Sequence, residues 1–166
     1  MAISGWLIID KPLGLSSTQV GGKIRRAFNV KKLGHVGTLD PLASGVLVVA
    51  LGEATKLIPY IPTNCKVYEF DVRWGQSTET DDAEGKVILQ SSVYPTLSQI
   101  HSVIPAFLGE IDQLPPIYSA IKIKGQPAYK IARKGETPVL KTRQVFIAEL
   151  RVVEMVDNQT TRFRVK

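Results

Sequence analysis

The chain has 166 residues, of which 44% are apolar and 22% charged, the values of a globular domain able to bury one sizeable core. Lys and Arg number 21 against 15 Asp and Glu, a formal net charge of +6. One cysteine (Cys65) excludes an internal disulfide, two histidines and that cysteine are too few for a structural zinc site, and the longest apolar run, Val46 to Leu51, is far too short to span a bilayer. Met1 to Asp10 has neither a basic leader nor a small-residue cleavage site, so a cytoplasmic domain is expected.

In chain order, Gly5 to Asp10 reads as a short buried strand, stopped by Lys11-Pro12 and Gly14. Ser16 or Ser17 caps a helix that carries Val20, Ile24, Ala27 and Phe28 at helical spacing and turns Lys23, Arg25 and Arg26 outward. Gly34 to Gly45 is turn-rich, and Gly45 to Leu51 reads as a fully buried strand. Glu53 to Ile61 predicts one helix ended by Pro62, and Lys66 to Gly75 a strand. Gln76 to Gly85 is an acidic loop, followed by a strand over Lys86 to Gln90. Pro95-Thr96 opens a helix through Phe107, closed by Gly109. Tyr118 to Lys124 alternates like a strand, and Gln126 to Lys134 predicts a short helix. Val145 to Val156 and Thr161 to Lys166 predict two antiparallel strands around Asp157-Asn158, the second an edge strand running off the chain without a cap, as at a cut. Strands and helices without strict alternation predict an α+β fold.

Charge is uneven. Residues 1–32 hold six basic and one acidic side chain, residues 33–117 four and ten, and residues 118–166 eleven and four. Two basic ends around an acidic middle fit a polyanion held at the ends while chemistry happens between them. The stretch that can carry chemistry is Gly34-His35-Val36-Gly37-Thr38-Leu39-Asp40-Pro41-Leu42-Ala43-Ser44-Gly45. Proline holds the preceding Asp40 backbone extended, glycines on both sides admit another chain, and a stiff strand follows. By pattern alone this is either a mounted carboxylate or an ordinary Asp-Pro turn, with His35 a loop histidine.

This stretch resembles the signature of the TruB family of tRNA pseudouridine synthases. The resemblance continues over Ile9-Asp10-Lys11-Pro12-Leu13-Gly14-Leu15-Ser16-Ser17, Gly52 to Lys56, Tyr68, Gly75 to Gly85, Pro116 to Lys122 and Tyr129 to Arg133, so it covers nearly the whole chain. It implies an α+β pseudouridine synthase fold: a mixed, mainly antiparallel central sheet, flanking helices and a thumb-like basic insertion. Residues 1–166 then form an incomplete catalytic domain, with residues 115–143 as the insertion.

The implied activity is isomerisation of a T-loop uridine of tRNA (position 55) to pseudouridine. Asp40 falls on the catalytic aspartate, His35 on the histidine supporting the flipped nucleotide, Tyr68 on the tyrosine stacked against the target base, and Asp82 on an acidic loop residue near the substrate. Lys11 and Pro12 fall on a motif that buttresses the site, while Tyr118 is left between core and cleft. The insertion holds Lys122, Lys124, Lys130, Arg133, Lys134, Lys141 and Arg143 against one acid, Glu136. The first five are assigned to the RNA backbone. No metal and no cofactor are expected, because the reaction has no net redox change and no energy input. The family motif K-G-T-Y-I-R, whose arginine pairs with the catalytic carboxylate, and the PUA domain are not within these residues.

The expected partner is the tRNA T-arm, with no membrane and no protein partner, and the expected state is a monomer. The alternatives are a non-catalytic RNA-binding module, a guide-RNA-dependent relative acting on rRNA, and a nucleoside hydrolase that releases uracil.

Overall fold

A computed structural model describes residues 3–119 and 121–166, which form two compact units, Met1–Lys66 and Val67–Lys166. The first unit contains β1 (Gly5–Lys11), α1 (Ser17–Ala27), β2 (Leu33–Val36), β3 (Gly45–Leu51) and a 3-10 helix over Gly52–Tyr60. Its sheet is antiparallel in the order β1-β3-β2, with Lys11 opposite Gly45 and His35 opposite Val49. Alternation along β1 and β3 turns Leu7, Ile9, Leu47, Val49 and Leu51 to one face, where Val20 and Ile24 of α1 and Val30 cover them.

The opposite face is not covered in the same way: Ile8 is 67% exposed and Val46 69%. The strand expected to be buried over Gly5 to Asp10 and the one expected to be fully buried over Gly45 to Leu51 thus share one covered face, the side on which α1 packs. Helix α1 begins in a capping box. Ser16 accepts from the Gln19 N–H, and the Gln19 side chain accepts from the Ser16 N–H.

The segment after β3 forms as expected but is wound as a 3-10 helix with Pro59 inside it. Glu53 in its first turn meets Lys32 at 3.0 Å and Lys56 at 2.5 Å. Hydrogen bonds from Lys56 and then Lys32 pull the Glu53 carboxyl down from 4.5 to about 2. A lowered folded-state value contributes stability that is complete above pH 4.5 and is lost as pH falls toward 2. Glu53→Gln should therefore flatten the acid limb of thermal stability between pH 5 and about 2, with wild type and variant converging in about 1 M salt, where exposed pairs are screened. Identical acid limbs at low salt would show that the pairs contribute nothing.

The second unit contains β4 (Tyr68–Arg73), β5 (Gln76–Thr78), β6 (Val87–Gln90), α2 (Leu97–Val103) with a 3-10 turn at Ile104–Phe107, and β7 (Gly109–Gln113). It continues with β8 (Lys122–Ile123), β9 (Gln126–Pro127), α3 (Ala128–Ala132), β10 (Arg143–Ile147), β11 (Leu150–Asp157) and β12 (Thr160–Val165). All pairings are antiparallel: β11-β12-β4, β10-β7, β5-β6 and β8-β9.

The final strand is not an edge. β12 lies between β11 and β4, and the edge expectation is corrected by a pairing that local sequence cannot display. Phe163 stacks on Phe70 at 5.6 Å and meets the Trp74 edge at 6.3 Å, while the Trp74 indole N–H donates to the buried Thr161 hydroxyl. Arg162 bridges the three strands, donating to Asp71 on β4 and Glu154 on β11. That guanidinium holds the Asp71 carboxyl below its usual range.

Tyr118 to Lys124 is a strand only over Lys122–Ile123, and Ala120 lies outside the described residues. Four strands, β2, β5, β7 and β9, were not expected; β5 and β9 fall in stretches read as loop and helix, and the single strand read over Val145 to Val156 is split into β10 and β11. β2 is four residues with a glycine inside the turn-rich stretch, and β7 places Glu110 and Asp112 beside a single Ile111. Neither is apolar enough to stand out, and each exists through its partner.

Candidate active site

Asp40 lies between β2 and β3 in the first unit. Its carbonyl accepts from the Ala43 N–H at 3.0 Å, a turn with proline at the second position. Gly37 (φ +74°) and Gly45 (φ +124°) bracket the segment in conformations that strongly favour glycine. The Asp40 side chain is exposed, and among the described residues no hydrogen bond or ion pair reaches its carboxylate. A carboxylate in this state is open to a substrate.

The backbone around it is held from below. Ser17 Oγ donates to the Leu39 carbonyl at 3.0 Å and accepts from the Leu39 N–H at 2.9 Å. The Gly14 N–H donates to the Pro41 carbonyl at 2.7 Å. Lys11 is fully buried at the end of β1, and its ammonium donates to the carbonyls of Pro12 at 3.0 Å and Leu15 at 2.6 Å. A buried ammonium is tolerated only when hydrogen-bonded, and here it folds residues 12–15 into the bend from which Gly14 reaches Pro41. Pro12 contributes a carbonyl to that bend and is itself exposed. Ser17 and Gly14 are functional candidates that reading the sequence missed. The available signal was the pair Ser16-Ser17, of which a helix needs one as its cap.

His35 sits half-buried in β2, with Nδ1 2.5 Å from the Gly37 carbonyl. A carbonyl only accepts, so Nδ1 carries the proton and a neutral His35 leaves Nε2 as its acceptor. The first unit thus holds Asp40, His35, Lys11 and Pro12. A cleft in this unit lined by Phe28, Asn29, Lys31, Lys32 and Glu53 includes none of the four.

The remaining candidates lie in the second unit. Tyr68 begins β4 opposite Val165 and is 45% exposed, so its ring is not spent on packing. Asp82 lies in the loop between β5 and β6, where one carboxylate oxygen accepts from Thr80 Oγ1 at 2.5 Å and from the Glu84 N–H at 2.9 Å. Its carbonyl accepts from Thr78 Oγ1 at 2.7 Å. The geometry gives Asp82 a loop-closing part, whatever else it touches.

Lys122, Lys124, Lys130, Arg133 and Lys134 are all exposed, and among the described residues none is ion-paired. Lys124 (φ +49°) and Gly125 (φ +85°) form the two-residue tip of the β8–β9 hairpin, and the Arg133 guanidinium lies 5.5 Å from the Tyr129 ring centroid. No group of three or more His, Cys, Asp or Glu that could hold a metal ion occurs among the described residues, and none of their helices is long and apolar enough to cross a membrane.

The family model of the TruB family pseudouridylate synthase N-terminal domain matches residues 25–166, which include the Asp40 turn, Tyr68, Asp82 and the basic hairpin. The chain belongs to the TruB family. Within that family it is 54% identical over 155 residues to tRNA pseudouridine synthase B of Roseobacter denitrificans, covering 93% of this chain and 51% of the relative. It is 48% identical over 164 residues to the protein of the same name from Brucella canis, covering 99% of this chain and 51% of the relative. The chain therefore spans about half the length of these TruB relatives.

Among solved structures, the fold resembles a chain of a Cbf5-Nop10-Gar1 complex with a TM-score of 0.65 and 28% identity, over 97% of this chain and 38% of that one. It also resembles a chain of an H/ACA RNP bound to a substrate RNA containing 2′-deoxyuridine, with a TM-score of 0.60 and 25% identity, over 97% and 37%. The expected α+β, largely antiparallel pseudouridine synthase fold is thus found, with its strands divided among five small sheets.

Proposed function

We propose that this TruB chain carries the catalytic carboxylate of a tRNA pseudouridine synthase and acts on a T-loop uridine, at position 55 of the tRNA. The observation that carries the reading is the Asp40 turn: an exposed, unpaired carboxylate on a backbone tied down on both sides, within the residues that match the family. Relatives of about 50% identity bear the name tRNA pseudouridine synthase B, which favours tRNA over the guide-RNA assemblies among the structural neighbours.

The reaction breaks the C1′–N1 bond, turns the uracil and forms a C1′–C5 bond, with the C5 proton leaving to solvent and N1 gaining one. Atoms and electrons balance without a redox partner or an energy source, so the proposal needs no cofactor. Asp40 can act by bonding to C1′ or by removing a sugar proton; both require an ionised carboxylate at the sugar. The base must leave its stack to be turned, and exposed Tyr68 offers a ring to receive it. In this scheme the segment 115–143 is a thumb-like insertion, and five of its cations, Lys122, Lys124, Lys130, Arg133 and Lys134, hold the RNA backbone.

A C5-tritiated T-loop transcript tests the reaction: the full-length protein should release tritium to water and leave pseudouridine in the RNA. Free uracil would instead identify a hydrolase, and neither product a binding module.

Neutralising Lys122, Lys124, Lys130 and Lys134 together should weaken transcript binding and flatten its salt dependence. Each lost phosphate contact removes roughly 0.7–0.9 from the log–log slope. A slope equal to that of wild type would make these lysines an ordinary solvated face.

A further inference from the structure

Ser17 is the first residue of α1 and is only 2% exposed. Ser16 already caps the helix, so initiation does not use the Ser17 hydroxyl. That hydroxyl instead reaches across 22 residues of sequence and serves both backbone polar groups of Leu39, at 2.9 and 3.0 Å. Asp40 comes next, and the residue after it, Pro41, is held by Gly14 at 2.7 Å. The chain is thus fixed immediately before and after Asp40, while the side chain between stands free in solvent.

We infer that Ser17 is a positioning residue for Asp40: its hydroxyl locks the Leu39 peptide groups so that the carboxylate meets the sugar in one geometry. This rests on the reading of Asp40 as the reacting group. A hydroxyl suits the task because one oxygen both donates and accepts, matching the N–H and the C=O of a single residue. Alanine at this position leaves two backbone groups without their partner and the turn free to shift. A catalytic group displaced by about an ångström loses on the order of a hundredfold in rate, although the substrate still binds. Ser17 never touches RNA in this scheme, so its effect falls on turnover and not on affinity.

The test compares the full-length protein with Ser17→Ala, Ser17→Thr, Ser17→Val and Asp40→Asn on a T-loop transcript, measuring kcat, KM, Kd and melting temperature. Ser17→Ala should lower kcat by about 10- to 100-fold, with KM and Kd within about threefold. Ser17→Thr keeps the hydroxyl and should recover most of kcat; Ser17→Val, of the same shape without it, should not. If Ser17→Ala does not fold, the Thr and Val pair decides the matter.

A Ser17→Ala kcat within about twofold of wild type overturns the proposal, as does equal turnover by the Thr and Val variants. So does a parallel loss of kcat, affinity and melting temperature, the mark of a merely structural residue. An active Asp40→Asn removes the reading beneath it. An inactive Asp40→Asn beside an unaffected Ser17→Ala removes the positioning role alone.

Discussion

Asp40→Asn is expected to abolish pseudouridine formation by the full-length protein while leaving transcript affinity within about threefold of wild type. The exchange is nearly isosteric, and nothing that shapes the turn uses the carboxylate. The Leu39 groups are held by Ser17, Pro41 by Gly14, and Asp40 contributes its own carbonyl to the Ala43 N–H. The fold and RNA-facing surface therefore survive, and the amide can neither bond to C1′ as a carboxylate does nor take a proton. Loss of a reacting group of this kind costs roughly three powers of ten or more in turnover. Tritium release and pseudouridine mapping on the same transcript check it, and appreciable product from the Asn variant would remove Asp40 from the mechanism.

Residues 1–166 alone are expected to bind the transcript weakly and to make no measurable pseudouridine, whereas the same residues joined to the second half of the Roseobacter relative should turn over. Among the described residues no cation pairs with Asp40, while the family resemblance implies an arginine counter-charge beyond Lys166. Bound RNA would cover Asp40, and in such a buried setting a pair left without its partner costs about 3–5 kcal/mol. If that loss falls on the transition state, the rate drops by roughly two to four powers of ten. Equal turnover by the two proteins would show that the shorter one already holds a complete site. The structure removes another ground for inactivity, an edge strand at the end of the chain, because β12 is paired on both sides.

How far the sequence could be read depended on the range over which each feature is set. Capping boxes at Ser16 and Thr96 follow a four-residue rule, so both helix starts were legible to within a residue. The Asp-Pro turn and the hairpin between β11 and β12 are likewise local. Asp40 itself stood out only through family resemblance, since an Asp-Pro pair alone is an ordinary turn. What stayed hidden was long-range. β2 needs β3 to exist, β12 slots beside a strand made far earlier, and Lys11 was legible as structural support without its burial. Ser17 looked like a spare cap, because its partner lies 22 residues away and is backbone, which leaves no trace in side-chain pattern.

The placement of β12 also sets an order of assembly during translation. The first unit has all three strands of its sheet within its first 51 residues. In the second unit, the hydrogen bond from Trp74 to Thr161 spans 87 residues, and β4 acquires its β12 neighbour only once residues 160–165 have left the ribosome. Until then Phe70 lacks the Phe163 ring on which it stacks, and β4 the backbone it pairs with. A nascent chain of this sequence is therefore expected to complete the sheet of its first unit before that of the second, whose closure joins residues farther apart in sequence.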